Sequence, residues 1–154
     1  MNYTQKESNL DIWNEKKKKL AKNAMINPKR FVPGQRSVYW VNFGENIGFE
    51  LSDQVKDEKM HMGVVLSKGK INGRGTSIVA PITSGPCRRN MKILDYHLLL
   101  EKAKYDFLNK DCVIKLDQMR CVSTERIGRK KGFIDDDDWQ KIEKKVKKIF
   151  RMYC

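Results

Sequence analysis

The rhythm of hydrophobic and polar positions changes twice along the chain. Residues 1–35 are rich in Lys and Asn and nearly empty of β-branched side chains; Leu10, Trp13, Leu20 and Ala24 recur there at helical spacing, with Lys16 to Lys19 mostly off their face. This spacing predicts a helix from about Leu10 to Met25, ended by Asn27-Pro28 and Pro33-Gly34. From Ser37 the pattern becomes a series of short β-rich segments: SVYWVNF (37–43), MGVVLS (62–67), TSIVAPI (76–82), DYHLLL (95–100), DCVIKL (111–116) and MRCVS (119–123). Gly44, Gly48, Gly69, Gly73, Gly75, Gly85 and Asn109 sit in the connections, which are short enough for a compact antiparallel meander or barrel. Closing such a sheet would remove its exposed edges. After Asp135 to Asp138, the residues Trp139, Ile142, Val146, Ile149, Phe150 and Tyr153 return to one helical face, with Lys141, Lys144, Lys145, Lys147, Lys148 and Arg151 following as the helix dipole favours. Consecutive aspartates at a helix start diverge, so the run reads as an N-cap at Asp135 or Asp136 rather than a metal site. The reading is a mainly β domain over 36–154 with a C-terminal helix, preceded by a basic, partly helical N-terminal extension over 1–35.

Composition narrows the partner. The 154 residues carry 32 Lys and Arg against 19 Asp and Glu, a formal charge of +13, which favours a polyanion and makes nucleic acid the first expectation. No apolar run approaches the roughly 20 residues that cross a bilayer, and the start MNYTQKESNLDIW lacks a secretory order, so a cytoplasmic protein without a membrane partner is expected. Cys87, Cys112, Cys121 and Cys154 form no C-x-x-C pair and only two histidines accompany them; they read as reduced thiols rather than zinc ligands. A P-loop, G-x-S-x-G and H-E-x-x-H are absent, which disfavours nucleotide hydrolysis and zinc chemistry.

Polar residues remain where strands meet loops: Glu50, His61, Thr83-Ser84-Gly85, Lys115, Asp117, Gln118 and Arg120. Alternation would place Lys115 and Asp117 on one face of a strand, most simply as an ion pair. His61 alone at the start of an apolar strand reads as structural, although histidine suits proton transfer near neutrality; His97, inside DYHLLL, is assigned to structure.

In consistent order, VYWVNFGENIGFE (38–50), HMGVVLS (61–67), IVAPITSG (78–85) and DCVIKLDQMRCVSTERI (111–127) resemble the MazF/PemK family of type II toxin–antitoxin ribonucleases, over about residues 37–150. The resemblance implies an SH3-like small β-barrel with a C-terminal helix. It also implies a homodimer, restrained by an acidic antitoxin, that cuts single-stranded RNA at short motifs without a metal or other cofactor. Residues 1–35 lie outside it. Carried over by position, the family's T-S element is Thr83-Ser84, the acidic residue of its G-x-E turn is Glu50, its D-Q element is Asp117-Gln118, and the basic residue two before that Asp is Lys115. A family Arg falls on His61, and His can both carry charge and move a proton.

RNA brings its own nucleophile, the 2′-hydroxyl, so a protein need supply only a base, an acid and donors around the phosphorane. On this reading Asp117 or His61 is the base, His61 or Lys115 supplies the acid or the charge, Thr83 and Ser84 donate to phosphate oxygens, and Glu50 orients His61. Gln118, Arg120 and Asn42 are expected to bind RNA. Of the aromatic candidates for base stacking, Tyr39, Trp40 and Phe43, most are expected in the core. The polar loop Ser52 to Lys59, read as lacking apolar anchors, is expected to be mobile and to cover the site. The alternative is a non-catalytic SH3-like module that binds nucleic acid or protein, with the same side chains merely packed or paired.

Overall fold

The computed structural model describes residues 2–84 and 93–151; Gly85, Cys87, Tyr153 and Cys154 lie outside them. Helix α1 (Tyr3–Ile26) begins well before Leu10, because Asn2 supplies a cap that apolar spacing does not register. Its side chain accepts from the Gln5 backbone N–H (2.9 Å), and the Gln5 side chain accepts from the Asn2 backbone N–H (3.1 Å), so two otherwise orphaned donors are satisfied reciprocally. Only Asn9 and Trp13 of α1 are buried, while Leu10 stays 38% exposed, so burial is confined to one stretch rather than running along the whole predicted face.

Seven strands follow: β1 (Ser37–Val41), β2 (His61–Val65), β3 (Thr76–Ser84), β4 (His97–Leu100), β5 (Cys112–Lys115), β6 (Arg120–Ser123) and β7 (Ile127–Phe133), with the short helix α2 (Gly69–Asn72) before β3. Every pairing is antiparallel and the order is β4-β5-β3-β2-β1-β7, with β6 also on β3. Strand β3 divides one of its sides, pairing β6 through Thr76 to Val79 and β5 through Ile82 to Ser84. The sheet therefore wraps without closing among the described residues, and β4 and β7 are its ends.

Side-chain alternation sends successive residues to two cores. Val38, Val64, Ala80, Ile82, Leu98, Ile114 and Ile142 pack in one, while Tyr39, Val41, Phe43, Val65, Val79 and Ile127 pack in the other. Each fully buried aliphatic side chain is worth about 1.5–3 kcal/mol. The sequence pattern did not mark β7, because Arg129, Lys130 and Lys131 run consecutively and break the alternation. As a strand paired only to β1 among the described residues, β7 can expose all three, and such a charged edge repels further strand pairing.

Helix α3 (Asp136–Ile149) is capped by Asp135, which accepts from the Asp138 N–H (2.9 Å). Asp138 is buried and accepts from Tyr105 Oη (2.7 Å), Lys104 Nζ (3.0 Å) and Lys141 Nζ (2.7 Å). Burial alone would raise its pKa, but hydrogen bonds from Lys141, Tyr105 and Lys104 outweigh it and hold the carboxyl below the usual range. The aspartate run is thus a helix cap joined to a tertiary clamp. No described helix is long and apolar enough to cross a membrane.

Candidate active site

Antiparallel register creates the site. Met62 pairs with Ile82, so one step further along both strands His61 comes level with Thr83. Together with the next residue, Ser84, they line a cleft of about 280 Å³ at one end of the sheet. Lys59, Lys110 and Lys131 bring cations to its wall, and Lys131 Nζ lies 5.7 Å from the centroid of the Trp40 ring, which also lines it. The cleft thus joins an imidazole, a hydroxyl pair, lysine cations and the aromatic rings of Trp40 and Phe107.

His61 is held by Asp53, whose side chain is only 5% exposed. Asp53 Oδ2 accepts from the Gly44 N–H (2.6 Å), and its Oδ1 accepts from the His61 backbone N–H (3.1 Å) and meets ring Nδ1 at 2.9 Å. An ionised carboxylate can only accept, so the ring proton is assigned to Nδ1 and the lone pair to Nε2. Among the described residues Nε2 has no hydrogen-bond partner. An imidazole in that tautomer is arranged to take a proton through Nε2 and afterwards return it.

Several expected residues lie elsewhere. Glu50 does not orient His61; it is exposed, its Oε2 accepts from the Ile47 N–H (3.1 Å), and Asp53 fills that role. Lys115 and Asp117 are not ion-paired along one strand, because β5 ends at Lys115 and Asp117 enters a 3-10 turn over Leu116–Gln118. Asp117 Oδ1 instead pairs with Nε2 of His97 (2.7 Å), and neither Lys115 nor Asp117 lines the cleft. Lys115 stands opposite His97 across β4 and β5, one residue beyond the Ile82–Ile114 pair on β3 and β5.

Gln118 accepts from the Leu51 N–H (3.0 Å) and donates to the Phe49 carbonyl (3.4 Å), while Arg120 donates to Asn46 Oδ1 (3.1 Å), so both fasten the loop after β1. Asn42 is half-buried and turned toward the Arg126 carbonyl (3.3 Å). Tyr39 and Phe43 are core residues, leaving Trp40 at the cleft. The loop expected to lack apolar anchors has one, since Val55 is buried inside a 3-10 turn over Val55–Asp57, and a bridge between Gln54 and Lys59 closes that turn.

Asp53, Lys59, Lys110 and Lys131 escaped the sequence reading. Asp53 and Lys59 belong to the loop expected to cover the site, Lys110 to another loop and Lys131 to an edge strand, and no periodicity joins them to His61. Asp53 carries the one local trace, an acidic residue inside a short polar loop that leads directly into a histidine.

No curated sequence matches the chain. Several solved structures share its fold. MazF from Deinococcus radiodurans is 21% identical with a TM-score of 0.63, covering 79% of this chain and 99% of its own. The Mycobacterium tuberculosis toxin MazF-mt6 is 15% identical with a TM-score of 0.57, covering 77% and 100%. An endoribonuclease in complex with its cognate antitoxin from a mycobacterial species is 11% identical with a TM-score of 0.57, covering 79% and 98%. The model of the PemK-like, MazF-like toxins of type II toxin–antitoxin systems matches residues 34–150, which take in the whole sheet, the cleft and α3, and the chain belongs to that family.

Proposed function

We propose that the protein is a sequence-specific endoribonuclease that cuts single-stranded RNA, mRNA included, through the 2′-hydroxyl, as the toxin of a toxin–antitoxin pair. The observation that carries this reading is the His61 ring, with Nδ1 on Asp53 and an Nε2 unpartnered among the described residues, lining the same cleft as Thr83 and Ser84. In the reaction Nε2 accepts the 2′-hydroxyl proton as that oxygen attacks phosphorus. Thr83 and Ser84 donate to the phosphate oxygens, and lysines at the cleft wall offset the developing charge. The departing 5′-oxygen takes its proton from the imidazolium or from a cleft ammonium. Because the nucleophile is tethered beside its target, this chemistry needs no metal, and DNA, lacking the 2′-hydroxyl, is bound but not cut.

Lys115 and Asp117 act in this scheme on the neighbouring part of the RNA strand rather than at phosphorus. Arg120 and Gln118 serve by keeping the loop after β1 in shape. Trp40 offers a stacking surface for an unpaired base. A charge of +13 suits both an RNA substrate and an acidic antitoxin, and the family likeness favours a homodimer.

The test is incubation of the purified protein with long single-stranded RNA in EDTA. The expected result is discrete fragments ending in 2′,3′-cyclic phosphate or 3′-phosphate, with Thr83→Ala binding the same RNA but cutting it far more slowly. RNA left intact at high protein concentration overturns this reading in favour of a binding module.

A further inference from the structure

Helix α1 precedes the family match at residues 34–150, yet it reaches the site through a continuous set of contacts. Trp13 is 4% exposed and its ring fills the place where a side chain at position 44 would stand; a Cβ on Gly44 would lie 2.0 Å from indole Cε2. Gly44 has φ +80°, a left-handed conformation that favours glycine for a second reason. In that conformation the Gly44 N–H donates to Asp53 Oδ2 (2.6 Å), and the Asp53 N–H returns a bond to the Gly44 carbonyl (2.8 Å). The other carboxylate oxygen holds His61 at both its backbone and its ring.

Two further contacts fix Trp13 and its helix. The Arg126 guanidinium lies 5.2 Å from the indole centroid and is attracted by Asp53, and Lys6 pairs with Glu45, whose side chain is 1% exposed. We infer that Trp13 is a positioning residue for the proposed nuclease: through Gly44 and Asp53, the docked N-terminal helix sets the tautomer and orientation of His61. The inference rests on the proposed role of His61 for its functional meaning, whereas the linkage itself is structural. Among the described residues the other ionic groups lining the cleft are Lys59, Lys110 and Lys131, and none of them can accept a hydrogen bond from Nδ1 while charged.

The test uses the full-length chain and long-range proton–nitrogen NMR of the imidazoles, with His97→Gln to assign the two rings. Wild type is expected to show His61 as the Nδ1–H tautomer. Trp13→Ala and Asp53→Asn are expected to shift it toward the Nε2–H form that free imidazole prefers, Trp13→Phe to restore Nδ1–H, and Lys18→Ala, on exposed α1 surface, to leave it unchanged. In cleavage, Trp13→Ala should lower kcat about tenfold with KM little altered. Should Trp13→Ala fail to fold, Trp13→Leu keeps an apolar plug without the ring plane and reads the same signal. An unchanged His61 tautomer in Trp13→Ala, or in Trp13→Leu where Trp13→Ala does not fold, overturns the inference, even if RNA is cut normally. A shifted tautomer in a protein that never cuts RNA leaves the linkage standing and removes the endoribonuclease reading alone.

Discussion

The molecule contains two histidine–aspartate pairs that differ in the nitrogen they use. His61 meets Asp53 through Nδ1 at 2.9 Å and lines a cleft together with Thr83 and Ser84, its Nε2 without a hydrogen-bond partner among the described residues. His97 meets Asp117 through Nε2 at 2.7 Å, on strand β4 at the sheet's end, with Tyr96 edge-on against its ring at a centroid distance of 5.0 Å. The first pair leaves the outer nitrogen available to a substrate. The second spends it on the carboxylate and sits outside the cleft. Proximity of imidazole and carboxylate is thus not a catalytic signature; which nitrogen remains free, and what stands opposite it, decides the chemistry.

The comparison breaks most sharply on removal of each ring. His61→Ala should reduce cleavage by about 10²–10⁴-fold while RNA binding in a filter or anisotropy assay persists, whereas His97→Ala should stay within a few-fold of wild type. Comparable losses from both would erase the distinction. Thr83→Val, which removes a donor but preserves shape, is expected to lower kcat by about 10²-fold.

Stability should separate the pairs in the same sense. Asp53→Ala strands three N–H donors in a part-buried setting and is expected to cost about 3 kcal/mol in urea unfolding. Asp117→Ala removes one more exposed bond, and about 1 kcal/mol is expected.

The smallest effect is one of pH. Asp135 and Asp138 have lowered pKa values: burial raises both, but it is outweighed at Asp135 by hydrogen bonds from Lys104 and the Asp138 N–H, and at Asp138 by those from Lys141, Tyr105 and Lys104. Their contribution to stability is therefore fully present above the ordinary carboxylate range and is lost as pH falls through the lowered values. Between about pH 5 and 8 the urea midpoint should owe no slope to this clamp, so a change of cleavage rate across that window without a matching change of midpoint belongs to the cleft.

Much of this arrangement was legible in the chain. The six expected β segments all appear, and α3 appears with Asp135 as its cap, because strand alternation and helical spacing are local signals. Thr83, Ser84 and His61 were legible as a set through the family pattern, and the β2–β3 register brings them to one place. What remained hidden depends on contacts distant along the chain or on backbone shape. Asp53 reaches His61 only because the loop turns back through Gly44, and Trp13 reaches Gly44 only because α1 folds against that loop. Lys115 and Asp117 misled because strict alternation assumes the strand continues, whereas a 3-10 turn begins at Leu116. In β7, edge position permitted a composition that periodicity rejects.

The most direct measurement compares a single-stranded RNA and a DNA of the same sequence, each incubated with wild type and with His61→Ala in EDTA and resolved at nucleotide level. Cleavage confined to the RNA, ending in a cyclic phosphate and lost with the imidazole, is the predicted result. Cutting of the DNA strand, or RNA cut equally well without His61, would contradict it.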